Sequence, residues 1–205
     1  PTSNTSTSES PFSTPHKVKS LSIPDNLDEI LSGAIDAEKL VERNDDQSEA
    51  RVAYDPNTDL PYTGWAKVVM KGGPPRELWK VKAGLADGLF YDWHGNGIVS
   101  TIASLKENKQ TGPFIEFHRN GKKSTEGSKI DRKNVGLCIY WYSSGQKEKE
   151  VIYKKGKPMS VVVWKPNGDK CPETNVKDGN GELVRYSVSG TEINRETYKD
   201  GKQVF

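Results

Sequence analysis

GPFIEFHRNG, residues 112–121, and GLCIYWYSSG, residues 136–145, decide the fold. Each starts and ends on glycine, and between the glycines the side chains alternate. Pro113, Ile115 and Phe117 point one way, and Phe114, Glu116 and His118 the other. Leu137, Ile139 and Trp141 likewise oppose Cys138, Tyr140 and Tyr142. Alternation with period two is the mark of a β-strand. Working outward, the opening glycine recurs as Gly64, Gly88, Gly112, Gly136, then Met159, then Gly181; the closing one recurs as Gly73, Gly97, Gly121, Gly145, Gly168, Gly190. Four residues before each closing glycine sits a large apolar residue: Val69, Trp93, Phe117, Trp141, Trp164, Tyr186. Two further columns keep the same step: Val81, Leu105, Lys129, Tyr153, Val176, Tyr198, and Gly84, Asn108, Arg132, Gly156, Gly179, Gly201. A repeat of 20–50 residues means a repeat architecture.

The unit reads strand, turn, strand, turn. The first turn is Gly95-Asn96-Gly97, Arg119-Asn120-Gly121, Ser143-Ser144-Gly145 or Pro166-Asn167-Gly168. Asn-Gly is a strong hairpin signal because both residues accept positive φ. One hairpin is too small to stand alone, so neighbours must pair edge to edge, with the aromatic column as a ridge holding them together. The fold expected is all-β: an extended curved antiparallel β-sheet of about six tandem β-hairpin repeats, with a short N-terminal helix and a disordered tail. The repeat array is assigned to 61–205, with units near 64, 88, 112, 136, 159 and 181. Cys171-Pro172 interrupts the fifth unit, since Pro belongs at an edge or bulge. Val204-Phe205 offers an apolar end to close the last edge.

Residues 1–22 read as a Ser/Thr/Pro-rich disordered tether, with a glycosylation sequon at Asn4,. Residues 23–60 read as a helix and capping strands. Asp25 is the expected N-cap; Leu27, Ile30 and Leu31 form one apolar stripe, and Gly33 ends the helix,. This helix is expected to cap the first sheet edge. Two short strand-like runs fill 40–54, and Asp55-Pro56-Asn57-Thr58 is a turn,.

Composition narrows the function classes. Hydrophobic residues are 33%, a share that suits a thin sheet better than a thick two-layer core. No apolar run reaches the roughly 18 residues of a membrane helix. Cys138 and Cys171 belong to no metal-ligand spacing and are expected to be free or buried, one disulfide being the alternative,. The formal net charge of +2 conceals two halves: residues 1–60 hold 5 Lys/Arg and 12 Asp/Glu, residues 61–205 hold 25 and 16. A basic array attracts an anionic lipid or polymer surface; scattered lysines that keep sheet edges from aggregating are the plainer reading.

The recurring G-x-F/C-x-x-W/F-h-x-x-G, best in Gly112–Gly121 and Gly136–Gly145 and followed by a K-x-G or D-G turn, resembles the MORN-repeat variant of bacterial YwqK-type antitoxin-like proteins. Tyr54–Asn57 through Pro61–Trp65 is similar to the opening of such arrays in secreted or lipid-anchored bacterial proteins. The resemblance covers roughly 54–203. It implies an extended sheet used as an interaction surface, sometimes for phospholipid, or an antitoxin or immunity protein that blocks a toxin. With the tether and a chain starting at Pro1 rather than Met, it places the protein outside the cytoplasm: secreted, periplasmic or lipid-anchored.

No residue pattern names an enzyme. The serines show no nucleophile elbow, and the glycine turns lack the Lys-Ser/Thr of a phosphate loop. Glu148 and Glu150 stand among lysines, as cross-strand ion pairs do. His94 and His118 occupy the same repeat position beside Asp92 and Glu116. They are either a metal-binding cluster or, the favoured reading, two residues before turns on a solvated face. Trp93, Trp141 and Trp164 belong to the ridge, which leaves Tyr91, Tyr140 and Tyr142 as candidates for an exposed binding patch, with His94 and His118 beside them. No cofactor and no metal are expected. The partner expected is another protein, with an anionic lipid or polymer surface second and nucleic acid disfavoured. The sequence leaves the oligomeric state open.

Overall fold

The structure, a computed structural model, describes residues 21–44, 50–71 and 73–205. The tether over 1–20, with the Asn4 sequon, lies outside them. Ten strands form one long sheet. Its body is four hairpins: β4 (Gly64–Val69) with β5 (Pro75–Lys82), β6 (Leu85–Trp93) with β7 (Val99–Lys106), β8 (Lys109–Phe117) with β9 (Lys123–Ile130), and β10 (Lys133–Trp141) with β11 (Lys147–Lys154). Then β12 (Lys157–Val163) opens the fifth unit. Consecutive strands pair antiparallel throughout, so the repeats add edge to edge.

The first edge is closed by β1 (Ile35–Asp36), parallel to β4. The helix α1 (Leu27–Gly33) does not cap that edge as expected; it lies on one face, here the back. Leu27, Ile30 and Leu31 pack on Leu78, Tyr91, Trp93 and Ile102, and the Leu31 carbonyl accepts from Lys67 Nζ at 2.7 Å. The N-cap is Asn26, not Asp25, and its side chain caps no backbone N–H. The two short runs form a separate hairpin, β2 (Val41–Asn44) with β3 (Arg51–Tyr54), on the front face. There the Ala53 N–H donates to the Gly84 carbonyl at 2.8 Å.

The ladder does not run unbroken to the C-terminus. After β12 the fifth unit's second strand survives as isolated contacts: Trp164 with Lys170, Cys171 N–H to the Val163 carbonyl at 2.8 Å, and Val161 N–H to the Val176 carbonyl at 3.2 Å. Pro172 cannot donate to a ladder, which accounts for the break. The last strands, β13 (Gly181–Tyr186), β14 (Glu192–Lys199) and β15 (Lys202–Val204), make a sheet of three. It packs back through Leu183 and Val184 on Val151, Val161, Val163 and Cys171. Val204 ends β15 and pairs with Thr197 on β14, and the side chains of Val204 and Phe205 are exposed.

The turns divide into two kinds, and the expectation for Asn-Gly is corrected. Asn96, Asn120 and Asn167 do not adopt positive φ; among the turn residues there, only Gly97, Gly121 and Gly168 do. Each loop is a wider turn closed by a bulge: Gly97 N–H donates to the His94 carbonyl and His94 N–H to the Ile98 carbonyl, while the strand register shifts at Trp93. The Asn side chain holds the turn from inside by accepting from the residue two further on. The true two-residue turns, with positive φ at both central positions, are the other connections: Ala83-Gly84, Glu107-Asn108, Asp131-Arg132, Lys155-Gly156, Asp178-Gly179 and Asp200-Gly201. That dihedral pattern matches the right-handed twist of the strands.

The ridge is also corrected. Trp93 and Trp164 are buried, but Phe117, Trp141 and Tyr186 are half-buried and Val69 is exposed. Among the described residues the ring contacts are Trp65 with Tyr91 and Tyr91 with Trp93. Further along, lysines cover the ridge: Lys123 Nζ lies 5.6 Å from the Trp141 ring centre and Lys147 Nζ 4.9 Å from that of Trp164. The front-face core instead follows the residue two after the opening glycine: Ala66, Phe90, Phe114, Cys138, Val161, Leu183.

Candidate functional site

The front face is walled at both ends. The β2–β3 hairpin covers Trp79, Val81 and Ala86 at the first end, and the last three strands cover Val151, Tyr153 and Val161 at the other. Between the walls lies an open trough of about 420 Å³, lined by Phe90, Thr101, Ala103, Leu105, Asn108, Gln110, Glu116, Lys129 and Arg132. The strand register explains the lining. Thr101 faces Glu116 across β7 and β8, and Ala103 faces Phe114. The floor is therefore apolar, Phe90, Ala103 and Leu105, with polar groups on either side.

Lys129 and Arg132 bring the positive charge. Lys129 Nζ donates to Gln110 Oε1 at 2.9 Å and lies 4.5 Å from the Phe114 ring centre. Arg132 Nη2 donates to the Asn108 carbonyl at 3.1 Å, across the gap between neighbouring turns. Three of these residues break the repeat. Asn108 and Arg132 replace glycine in a column that is otherwise Gly84, Gly156, Gly179 and Gly201, and both keep its positive φ. Lys129 is the charged member of a column otherwise made of Val81, Leu105, Tyr153, Val176 and Tyr198. All three line the same trough.

The tyrosines expected at an exposed patch are elsewhere. Tyr91 is fully buried beneath α1 and donates its hydroxyl to the Ser22 carbonyl at 3.3 Å. Tyr142 is buried, its hydroxyl donating to the Trp164 carbonyl at 3.0 Å. Tyr140 is half-buried, its hydroxyl 3.0 Å from that of Tyr153. The sequence shows these rings alternating on strands, but not that a helix and a second sheet cover them. Burial pushes their hydroxyl pKa values up, that of Tyr142 to about 12. Cys138, against Phe114 under the front face, is pushed up to about 11 by burial, against the opposing pull of the Ser128 backbone and Lys129. Both cysteines are free and buried. Burial also pushes the Cys171 thiol up, but hydrogen bonds from Tyr186 and Thr174 outweigh it and leave the thiol below its ordinary value.

His94 and His118 are structural rather than solvated. His94 Nε2 is 2.8 Å from the Phe117 carbonyl, and His118 Nε2 is 2.8 Å from the Trp141 carbonyl. Tyr142, at the same repeat position, makes the equivalent bond to Trp164. This column staples each unit to the next at the ridge residue. Asn96 and Asn120 add a parallel staple through their amides to the Arg119 and Ser143 carbonyls, each 2.8 Å. Asp92 is tied to Ser100. Among the described residues no three His, Cys, Asp or Glu side chains gather as a metal site. Glu148 and Glu150 pair with lysines of their own strand, Lys149 and Lys147 respectively.

Among the described residues no helix is long and apolar enough to cross a membrane. No protein-family model matches the chain, and no curated protein matches it. The fold defines the class: a tandem β-hairpin repeat protein with a capped array.

Proposed function

We propose that the chain is a non-catalytic protein-interaction module that docks its partner in the front trough. The observation that carries this reading is the coincidence of three departures from the repeat, Asn108, Lys129 and Arg132, at one cavity. Repeat positions drift freely on a passive scaffold, but a non-glycine residue in the left-handed region carries a strain cost. Keeping Arg132 there at φ 66° places its guanidinium on the trough. The apolar floor suits a partner's aliphatic or aromatic side chain, while Lys129 and Arg132 suit an adjacent carboxylate. The MORN-variant resemblance of the units and a location outside the cytoplasm belong to the same proposal.

The test is affinity capture from lysate of the source organism at low and high salt, with mass spectrometry, comparing the native chain with Lys129→Tyr/Arg132→Gly. That pair restores residue types found at the same columns, so the fold is kept. The expected outcome is a protein retained at high salt by the native chain and lost by the variant. Identical retention by both sinks the reading.

A further inference from the structure

The six two-residue turns lie along one rim of the array. They form a continuous row, since each turn donates a backbone N–H to the unit before it: Asn108 to Ala86, Arg132 to Gln110, Gly156 to Asn134, Gly179 to Met159, Gly201 to Gly179, at 2.8–3.0 Å. Counting each turn with its two flanking residues (82–85, 106–109, 130–133, 154–157, 177–180, 199–202), the rim holds eleven Lys/Arg against four Asp/Glu. All eleven cations are exposed. Among the described residues none of them enters an ion pair, whereas Lys123, Lys147 and Lys149 on the sheet faces each do. The opposite rim is different: its loops at 70–74, 94–98, 118–122, 142–146, 165–169 and 187–191 hold four cations and one anion.

Three hairpins close on directly opposed like charges: Lys106 with Lys109, Lys154 with Lys157, Lys199 with Lys202. Such pairs destabilise a hairpin, and scattered edge protection does not need them. Successive turns are separated by two strands, about 10 Å, so charge recurs along the rim with that period. The 24 rim positions contain no Phe, Tyr or Trp, the stacking platforms that single-stranded nucleic acid uses. A flat membrane fits poorly, because strands rotate by about 20° each and the rim winds out of any plane within a few turns. A flexible linear chain follows such a rim.

We infer that the two-residue-turn rim binds a linear polysaccharide carrying one carboxylate per disaccharide, a repeat of the same order as the turn spacing. The rim meets the trough at Asn108 and Arg132, but Lys106, Lys154 and Lys199, on which the test turns, line no part of the trough, and the inference stands without the docking reading. The probe is hyaluronate, titrated calorimetrically at low and high salt against the native chain, Lys106→Glu/Lys154→Glu/Lys199→Glu, and Arg119→Glu/Lys122→Glu on the other rim. The native chain binds, with affinity falling steeply as salt rises. The triple variant loses at least roughly tenfold in affinity while its unfolding midpoint holds or rises, because each new glutamate faces a lysine. The opposite-rim variant keeps native affinity. A Lys→Gln triple at the same positions loses affinity too, and stands in if the Glu triple does not fold. The inference is overturned by absence of hyaluronate binding, by equal loss in the two rim variants, by an unaffected triple variant, or by tighter binding to oligo-dT or to phosphatidylglycerol vesicles.

Discussion

Gly127 shows how one residue sets what can pack above it. It sits on β9 opposite Phe114, and its backbone would tolerate any side chain, since it is not among the positive-φ residues. Space is the constraint. A Cβ there would strike Cys138 Sγ and come within 3.3 Å of Phe114 Cε1. The two front-core residues Phe114 and Cys138 therefore share the room that glycine leaves. Gly127→Ala is expected to cost about 1–3 kcal/mol by overpacking, read from the urea midpoint. Cys138→Ala in that background returns part of the loss, because the sulfur is the nearest atom; strict additivity of the two changes would refute the account. Nothing in the sequence marks this glycine, which lies outside the periodic columns. The columns themselves were legible, and so was the Phe/Cys position two after the opening glycine.

At the scale of the hairpin, the strands were readable because apolar and polar residues alternate, while the turns were misread because Asn-Gly has two uses. In these units the Asn side chain accepts a backbone N–H and only the glycine is left-handed. The two-residue turns carry less obvious pairs, Glu107-Asn108 and Asp131-Arg132 among them. Arg132 is the test of what such a turn costs. Left-handed backbone costs an ordinary L-residue about 1–2 kcal/mol, and glycine returns about 0.5–1 kcal/mol of that through its freer unfolded chain. Arg132→Gly alone should therefore stabilise the array by about 0.5–1 kcal/mol, measured by chemical denaturation. A destabilised variant would mean that the Arg132–Asn108 bond between turns outweighs the strain, and would weaken the case that the arginine is kept for the trough.

For the whole molecule, the periodic pattern reports the sheet but not what lies over it. The helix, the β2–β3 hairpin and the last three strands each cover part of a face, and their contacts are remote in sequence: Tyr91 meets Ser22, and Asn108 Nδ2 meets the Arg51 carbonyl. That is why the tyrosines read as exposed were buried, and why the trough, defined by the gap between two covers, was invisible. The same covering makes the fold sensitive to alkali. Burial raises the hydroxyl pKa of Tyr91, Tyr140, Tyr142, Tyr153 and Tyr198 and the thiol pKa of Cys138, the last to about 11 from an ordinary 9.0. Each group stays protonated in the folded chain at a pH where the unfolded chain has released its proton. Between the two pKa values the native state binds more protons, so stability falls as pH rises. The contribution is complete below pH 9 and is lost for Cys138 as pH climbs to about 11, with the tyrosines following from pH 10 upward. Urea midpoints taken from pH 8 to pH 11 should fall over that window, and Cys138→Ala, less stable at pH 8, should fall less steeply between 9 and 11. A Cys138→Ala curve parallel to the native one would show that the thiol is not held protonated by the core, and that the front face is more open to water than its packing indicates.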